Sequence, residues 1–458
     1  MRMDIVLTAL ADAQDSLRIL VVFILLVLAV SRGAHLGLAA FLAAAVLAFW
    51  SGAGWSDALM VPAAAAFSLD SMLLAFALVL ILGLSALMKN SGDMERAARA
   101  YSLLASSPTI ALSTLPAIIG ALPMPGGAGF SAPLIAALDT GDQLSPAERS
   151  AANYWFRHMI ELIWPLYPSF MLIMSLSGMP MVTIIAMNLY SPLVMVLLGY
   201  FFLLRKPLRR PSENADAAQG TTATQKSLAL KDFLLAFTPI LIAIIGPLVL
   251  TPAVAALRSP VSASLPNLPV ADIVHYLPVI LGISGATVFV LSVGSVSAEE
   301  NSRFKLLRQA YLSPSVYKTA LMVLGIKAFA GTLQHFGVAA SIARELAAIG
   351  VGSSVLIVVL PFLAGLVTGV GFGYVGVSFP IILALVPAGD ATALAATVAL
   401  ASAAGFAGMM LSPLHVCAAV SSGYFTVPMS DTLKRVAAPV LIFLAIAIVY
   451  SSFLRLIL

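Results

Sequence analysis

An arginine, a histidine and a glutamate stand within five residues of one another, Arg157, His158 and Glu161, in the stretch NYWFRHMIELIWPLYPS (153–169). The Arg157 guanidinium is a fixed positive charge whose fork matches a carboxylate. His158 changes charge near neutral pH and can hold or pass a proton. Glu161 follows Arg157 by four residues, a spacing that puts both on one helix face and lets them pair. Asn153 precedes Arg157 by the same interval, and His158 is turned about 100° away. Such groups suit the binding of a small anion together with the handling of a proton. They also lie in a region that reads as membrane, where a central charge costs about 2.5–3.5 kcal/mol and normally faces a protein interior or a watery cavity. Anchoring a helix at the membrane interface is the plainer alternative.

A second polar island, GFAGMMLSPLHVCAAVSSGYF (405–425), offers Ser412, His415, Ser421 and Ser422, with Gly405 and Gly408 fitted for close helix packing. Two apolar segments, 108–138 and 351–386, are interrupted by ALPMPGGAGFSAP (121–133) and GLVTGVGFGYVGVSFP (365–380). Backbone left unpaired in hydrocarbon survives only where protein or water satisfies it, so each segment is expected to be a re-entrant hairpin with its tip at the break. Helix N-termini at such tips offer amides to an anion, and unwound carbonyls suit Na⁺. The candidate substrate site therefore takes Pro125, Gly126, Gly127 and Ser131 from the first tip, and Thr368, Gly371, Gly373 and Ser378 from the second. Asn153, Arg157, His158, Glu161, Tyr167, Ser412 and His415 complete it. No HExxH motif, serine-nucleophile motif or phosphate-binding loop is present, so no catalytic site is expected. With Cys417 as the single cysteine, neither a disulfide within the chain nor a Cys-rich metal centre is expected. No metal ligand or cofactor is assigned, apart from Na⁺ as a candidate coupling ion.

The surrounding chain must hold these groups in lipid. Of 458 residues, 61% are hydrophobic and 10% charged, and the mean hydropathy is +1.04. Apolar runs of this kind, separated by short loops, mean a polytopic helical membrane protein. Ten spans are expected at 17–31, 34–50, 71–88, 150–174, 183–204, 232–252, 272–297, 314–331, 391–427 and 436–455. The span at 150–174 begins with Ser145, Pro146 and Glu148, a cap, a first-turn proline and a capping box. It is expected to run to Trp164, where Pro165 and Pro168 interrupt it. The polar segment 205–231 reads as a linker. Lys327 and His335 read as interfacial residues near a span end. A net charge of +4 gives no case for nucleic acid, and the N-terminal stretch is expected not to be a cleaved signal peptide.

The halves align weakly with each other. Gly92 and Arg99 face Gly337 and Arg344, while PMPGGAGF (123–130) faces GFGYVGVS (371–378) at the same offset of 248 that sets Pro165-Leu166 on Pro413-Leu414, and so Tyr167 on His415. Equivalent loops carry opposite charge. The loop 51–70 has no Lys or Arg, whereas 298–318 has Arg303, Lys305, Arg308 and Lys318. Positive loops mark the cytoplasmic side, so the repeats are inverted. The expected fold is all-α and polytopic, with two inverted repeats, about ten transmembrane helices, two re-entrant hairpins and an elevator-type carrier architecture. Repeat 1 covers 1–204, with hairpin 108–138 and broken helix 150–174. A cytoplasmic linker covers 205–231, and repeat 2 covers 232–458, with hairpin 351–386 and broken helix 391–427. Both termini fall on the far side.

At PMPGGAGFSAPL and NYWFRHMIELIWPLYPS the chain resembles an uncharacterised family of prokaryotic integral membrane proteins within the ion transporter superfamily of secondary carriers. The resemblance runs over essentially the whole chain. It implies paired hairpins, inverted repeats and an elevator-like moving domain, as in carriers of dicarboxylates, citrate, gluconate, lactate or arsenite and in Na⁺/H⁺ exchangers. The Ser-Asn-Thr tips of the sodium-dicarboxylate branch are absent, and PMPGG and GVGFG stand in their place.

The reading that follows is a secondary active transporter of a small organic anion, a carboxylate, coupled to Na⁺ or H⁺ in the inner membrane of a prokaryote. A cation/proton antiporter is the first alternative, and a non-transporting membrane enzyme or assembly subunit the second. Lipid and the anion are the expected partners, with a homodimer as a candidate assembly. The charge pattern sets a topology in which 89–99, 205–231 and 298–318 are cytoplasmic and 51–70 is not. Gln225→Cys in a Cys417→Ser background should resist an impermeant maleimide in intact cells and react once they are permeabilised. Reaction in intact cells reverses the orientation.

Overall fold

The computed structural model of the protein describes residues 14–105, 107–124, 126–139, 143–205, 223–257, 269–293, 300–338, 345 and 353–457. Pro125, Arg344 and most of the linker, 206–222, lie outside the described residues. The described residues are helical throughout, with no strand. The first half contains α1 (Gln14–Ser31), α2 (Leu36–Trp50), α3 (Trp55–Ala66), α4 (Leu69–Asn90), α5 (Asp93–Leu104), α6 (Pro108–Gly120), α7 (Ala128–Leu138), α8 (Pro146–Arg157), α9 (Pro168–Ser177), α10 (Met181–Asn188) and α11 (Tyr190–Gly199). The second contains α12 (Ala223–Ala256), α13 (Val270–Val293), α14 (Glu300–Tyr311), α15 (Pro314–His335), α16 (Ser353–Thr368), α17 (Gly371–Leu383), α18 (Ala391–Met410), α19 (Val416–Tyr424) and α20 (Met429–Ile457).

Among the described residues, eight helical segments are long and apolar enough to cross a membrane: Leu69–Asn90, Pro146–Ser177, Met181–Leu204, Thr224–Ala256, Val270–Val293, Arg303–His335, Ala391–Met410 and Met429–Leu456. They correspond to eight of the ten expected spans. The other two, Leu17–Ser31 and Leu36–Trp50, are shorter apolar helices. The segments 51–70 and 298–318, expected as loops, each hold a 12-residue helix, α3 and α14. Trp55, Asp57 and Ser56 start α3 on a short polar first turn, and an Ala-rich end carries it on. Such a helix has too little apolar length to register as a span.

Burial separates centre from periphery. The Ala391–Met410 segment is 89% buried, against 28% for Thr224–Ala256, so α18 is the central helix and α12 keeps most of its apolar surface outward. Outward apolar surface is what lipid requires. Small residues let α18 be crossed closely. A Cβ on Gly408 would collide with the Phe362 carbonyl of α16, and one on Gly405 with the Tyr374 ring of α17. Gly37 and Gly325 bring α2 and α15 together in the same way.

The hairpin helices are short. The first pairs α6 with α7, 13 and 11 residues, and the second α16 with α17, 16 and 13 residues, each pair packed together. Left-handed glycines turn the tips, Gly126 at φ +70° and Gly369 at φ +65°. The register of the tips differs from the sequence alignment. Helix α7 begins at Ala128 and α17 at Gly371, 243 residues on, whereas Tyr167 and His415, the caps of α9 and α19, do stand 248 apart.

The close crossing at α18 predicts unequal glycine tolerance. Gly408→Leu should lower the thermal midpoint of the detergent-purified protein strongly, since overpacking typically costs about 1–3 kcal/mol even where side chains can move. Gly423→Ala, with nothing within 4 Å of the added carbon, should not. Equal midpoints for the two variants would show that α16 and α18 are not held at this distance.

Candidate functional site

The start of α8 is as the sequence indicates. Ser145 accepts from the Glu148 backbone at 3.4 Å, and Glu148 Oε2 accepts from the Ser145 backbone at 2.8 Å, with Pro146 in the first turn. Its end is different. The helix stops at Arg157, well before Trp164, and His158 caps it at φ −101°, ψ 3°. A single 3₁₀ turn, Glu161–Ile163, and an extended Trp164 then lead to Pro168, where α9 starts. The physical reason lies in the neighbours. The Arg157 carbonyl packs against Gly120 at the end of α6, and the aromatic donors beyond it are needed elsewhere. Tyr167 Oη donates to the Gly120 carbonyl at 2.7 Å, and Trp164 Nε1 to the Ala121 carbonyl at 2.7 Å. These carbonyls have no partner within α6, because the helix ends inside the protein.

The second half has an analogous interruption. Helix α18 ends at Met410, and Ser412 Oγ accepts from the Leu414 backbone at 3.1 Å in the turn that follows. His415 then caps α19. Tyr154 Oη donates across to the Met410 carbonyl at 3.1 Å.

Each tip touches both interruptions. A Cβ on Gly127 would collide with the Arg157 guanidinium, and Gly126 faces Val416 and Val420 of α19. A Cβ on Gly371 would lie 2.7 Å from Glu161 Oε1 and 3.0 Å from Ser169 Oγ, and one on Gly369 2.8 Å from the Leu414 carbonyl carbon. Asn153 ties the pieces together. Its Nδ2 donates to the Ala128 carbonyl at 3.0 Å and to Ser421 Oγ at 2.8 Å, while its Oδ1 is buried without a partner. His158 Nε2 lies 3.1 Å from His415 Nε2. The four discontinuities therefore form one centre.

Arg157, His158 and Glu161 are all buried in protein there, at 2%, 4% and 4% exposure. The pairing of Arg157 with Glu161 is also absent: among the described residues no ion pair joins them, because the helix that would align them ends between them. Arg157 Nη1 is buried with no hydrogen-bond partner. Several expected ligands are otherwise engaged. Ser131 donates to the Ala128 carbonyl at 3.3 Å, Thr368 to the Ala364 carbonyl at 2.7 Å and Ser378 to the Tyr374 carbonyl at 2.6 Å, each within its own helix. Gly373 packs on Thr368, with an added Cβ only 2.5 Å from its hydroxyl.

Sequence reasoning missed four participants. Gly369, not Gly371, is the left-handed residue of the second tip. Tyr154 and Trp164 supply backbone-satisfying donors, and their placement beside a break was the available signal. Cys417 lies with His158 and His415, donor atoms within 4.8 Å of one another, a grouping hidden by a separation of 257 residues between the histidines. Lys327, expected at an interface, is half-buried, pairs with Asp70 and donates to Ser175 at 3.1 Å. Tyr276 donates to the other Asp70 oxygen at 2.9 Å. This second polar cluster joins α4, α13 and α15 to α9.

Paired short hairpins and two interrupted helices around one buried polar centre, with eight apolar spans among the described residues, define a polytopic helical membrane protein. The crystal structure of the Alcanivorax borkumensis YdaH transporter is similar to it at a TM-score of 0.54, covering 83% of this chain and 84% of that one at 17% identity. The chain belongs to the family described as a protein of unknown function, DUF401, whose profile matches residues 13–220 and 227–453. No curated protein matches the sequence.

The geometry predicts that the tips tolerate no side chain. Gly127→Val and Gly371→Val should reach the membrane at normal levels yet lose transport, because one displaces the Arg157 guanidinium and the other the Glu161 carboxylate. Normal uptake by both variants in reconstituted vesicles would mean that the tips only pack.

Proposed function

We propose that the protein is a secondary active transporter of a small organic anion, a carboxylate, coupled to Na⁺ or H⁺ in a prokaryotic cytoplasmic membrane. The observation that carries this reading is Arg157. Its guanidinium is buried at the end of a helix that stops inside the protein, and Nη1 has no partner. A buried cation without a partner is costly, and a carboxylate docking on its fork offsets that cost. The N-termini of α7 and α17 add amide groups near the same centre. The fold shared with a transporter supports the class, and the resemblance to the ion transporter superfamily supports a secondary carrier.

The order of elements supports inverted repeats. Helices α4 and α15 are both 22 residues long, begin 245 residues apart at Leu69 and Pro314, and are each followed by a left-handed glycine, Gly92 and Gly337. Each is preceded by a 12-residue helix and followed by a hairpin and an interrupted helix. The loop charges invert between the halves. In an elevator mechanism the hairpins and interrupted helices move as one body against the remaining helices, carrying the site across. The Asp70–Lys327–Ser175 cluster then lies on the sliding boundary, since Ser175 belongs to the interrupted helix.

One observation favours the cation/proton antiporter as a second reading. Glu161 is buried and not committed to Arg157, so its carboxylate is available to exchange a proton for a cation.

A panel of carboxylates tested for binding to purified protein and for uptake into vesicles separates these readings. Arg157→Lys should insert normally but weaken carboxylate binding at least tenfold, because a point charge does not reproduce a bidentate fork. Glu161→Gln should change affinity or pH dependence. Wild-type transport by Arg157→Lys and Arg157→Ala alike rules out the anion site, whereas cation exchange lost only in Glu161→Gln supports the antiporter.

A further inference from the structure

His158, His415 and Cys417 are buried, at 4%, 5% and 7% exposure, and their donor atoms all lie within 4.8 Å of one another. The two interrupted helices supply them from opposite halves of the chain. The tautomer of His158 is fixed by its surroundings. Nδ1 lies 2.8 Å from the Tyr154 carbonyl, which can only accept, so Nδ1 carries the proton and donates it. Nε2 is then a free lone pair, and it points at His415 Nε2, 3.1 Å away. A ring nitrogen donating to a backbone carbonyl is the usual means of orienting a metal-ligating histidine. Tyr154 is itself held, by its hydroxyl on the Met410 carbonyl. On the other side His415 is fixed as the cap of α19, with Gly369 packed on its backbone, and Cys417 follows in the first turn of that helix. A hydrogen bond between the two rings would account for the histidines alone. With the thiol hydrogen-bonded to both rings this is the metal-free alternative, and it leaves the same three donor atoms converging on one point.

We propose that His158, His415 and Cys417 bind a borderline-soft divalent transition metal, with Zn²⁺ as the reference ion. Two imidazole nitrogens, one thiolate and an open fourth position are a donor set that suits tetrahedral zinc. The thiolate disfavours Mg²⁺ and Ca²⁺, which take oxygen ligands. Bonds of about 2.0–2.3 Å in a tetrahedron put donor atoms about 3.3–3.6 Å apart, so closure on the ion asks for side-chain shifts of about an ångström. The ion displaces the thiol proton, and with one thiolate ligand the site keeps a single net positive charge. Water or an anionic group fills the fourth position. The proposal goes beyond the anion reading and stands on donor geometry, whatever the cargo.

The test uses the full chain, purified in detergent with any affinity tag removed, stripped with a chelator and dialysed against Zn²⁺ or Co²⁺. Elemental analysis should find one Zn²⁺ per chain, and the Co²⁺ form should show a thiolate-to-metal charge-transfer band with strong tetrahedral visible bands. Cys417→Ser, which is nearly isosteric, should lose the charge-transfer band, and His415→Gln should weaken Zn²⁺ binding at least tenfold. Should His415→Gln aggregate, the Cys417→Ser spectrum decides by itself. Stoichiometric zinc retained in Cys417→Ser, a cobalt spectrum without the thiolate band, or no zinc in the wild type overturns the site. Carboxylate binding measured on the same stripped protein keeps the two ideas apart. Anion affinity without metal binding removes only the metal site, and metal binding without anion affinity removes only the anion reading.

Discussion

Helices that end inside an apolar protein leave backbone carbonyls and amides without partners, and the centre of this protein is organised around satisfying them. An unsatisfied buried group costs about 1–3 kcal/mol, more than a typical hydrogen bond contributes once made. Trp164 and Tyr167 donate to the last carbonyls of α6 and Tyr154 to the last carbonyl of α18, while Asn153 adds a second bond to the Ala128 carbonyl and so ties α7 to α8. Four of the polar groups in NYWFRHMIELIWPLYPS are thus spent on backbone. A chain without them would have to run its helices straight through, and no centre would exist.

The same requirement fixes how close the pieces come. Glycine stands where the pieces come closest, because a Cβ there would collide with the neighbouring segment. Gly120 and Gly127 admit Arg157, Gly371 admits Glu161 and Ser169, and Gly369 admits the turn before His415. The site is consequently shared by both halves: Asn153 bonds Ser421, and His158 meets His415. Ser150, Ser422 and Thr432 extend this link, with hydroxyls 2.7 and 2.8 Å apart. Nη1 of Arg157, Oδ1 of Asn153, Nδ1 of His415 and Oη of Tyr374 are buried there without a hydrogen-bond partner.

Two features pull in opposite directions. A buried arginine without a carboxylate lowers stability, yet pairing it with Glu161 would occupy its fork. Ending α8 at Arg157 separates the two, and the guanidinium is left without a carboxylate partner. The polar cluster of Asp70, Lys327, Ser175 and Tyr276 is the opposite case, a half-buried ion pair whose partners are all supplied.

The sequence by itself determined that this is a helical membrane protein, where most of its spans lie, that two apolar segments break into pairs of short helices, and how α8 begins. Those properties depend on hydropathy, length and local caps, which act over a few residues. It also singled out Arg157, His158, Glu161 and His415, because charge in an apolar run is conspicuous. Only the tertiary structure decided where α8 ends, since the Trp164 and Tyr167 donors are drawn to carbonyls more than 40 residues away. The same holds for the separation of Arg157 from Glu161, for the engagement of Ser131, Thr368 and Ser378 with their own helices, and for the left-handed role of Gly369. The meeting of Cys417 with two histidines is the clearest instance. Residues 257 positions apart become neighbours only when two interrupted helices are packed end to end, and no local pattern encodes that contact.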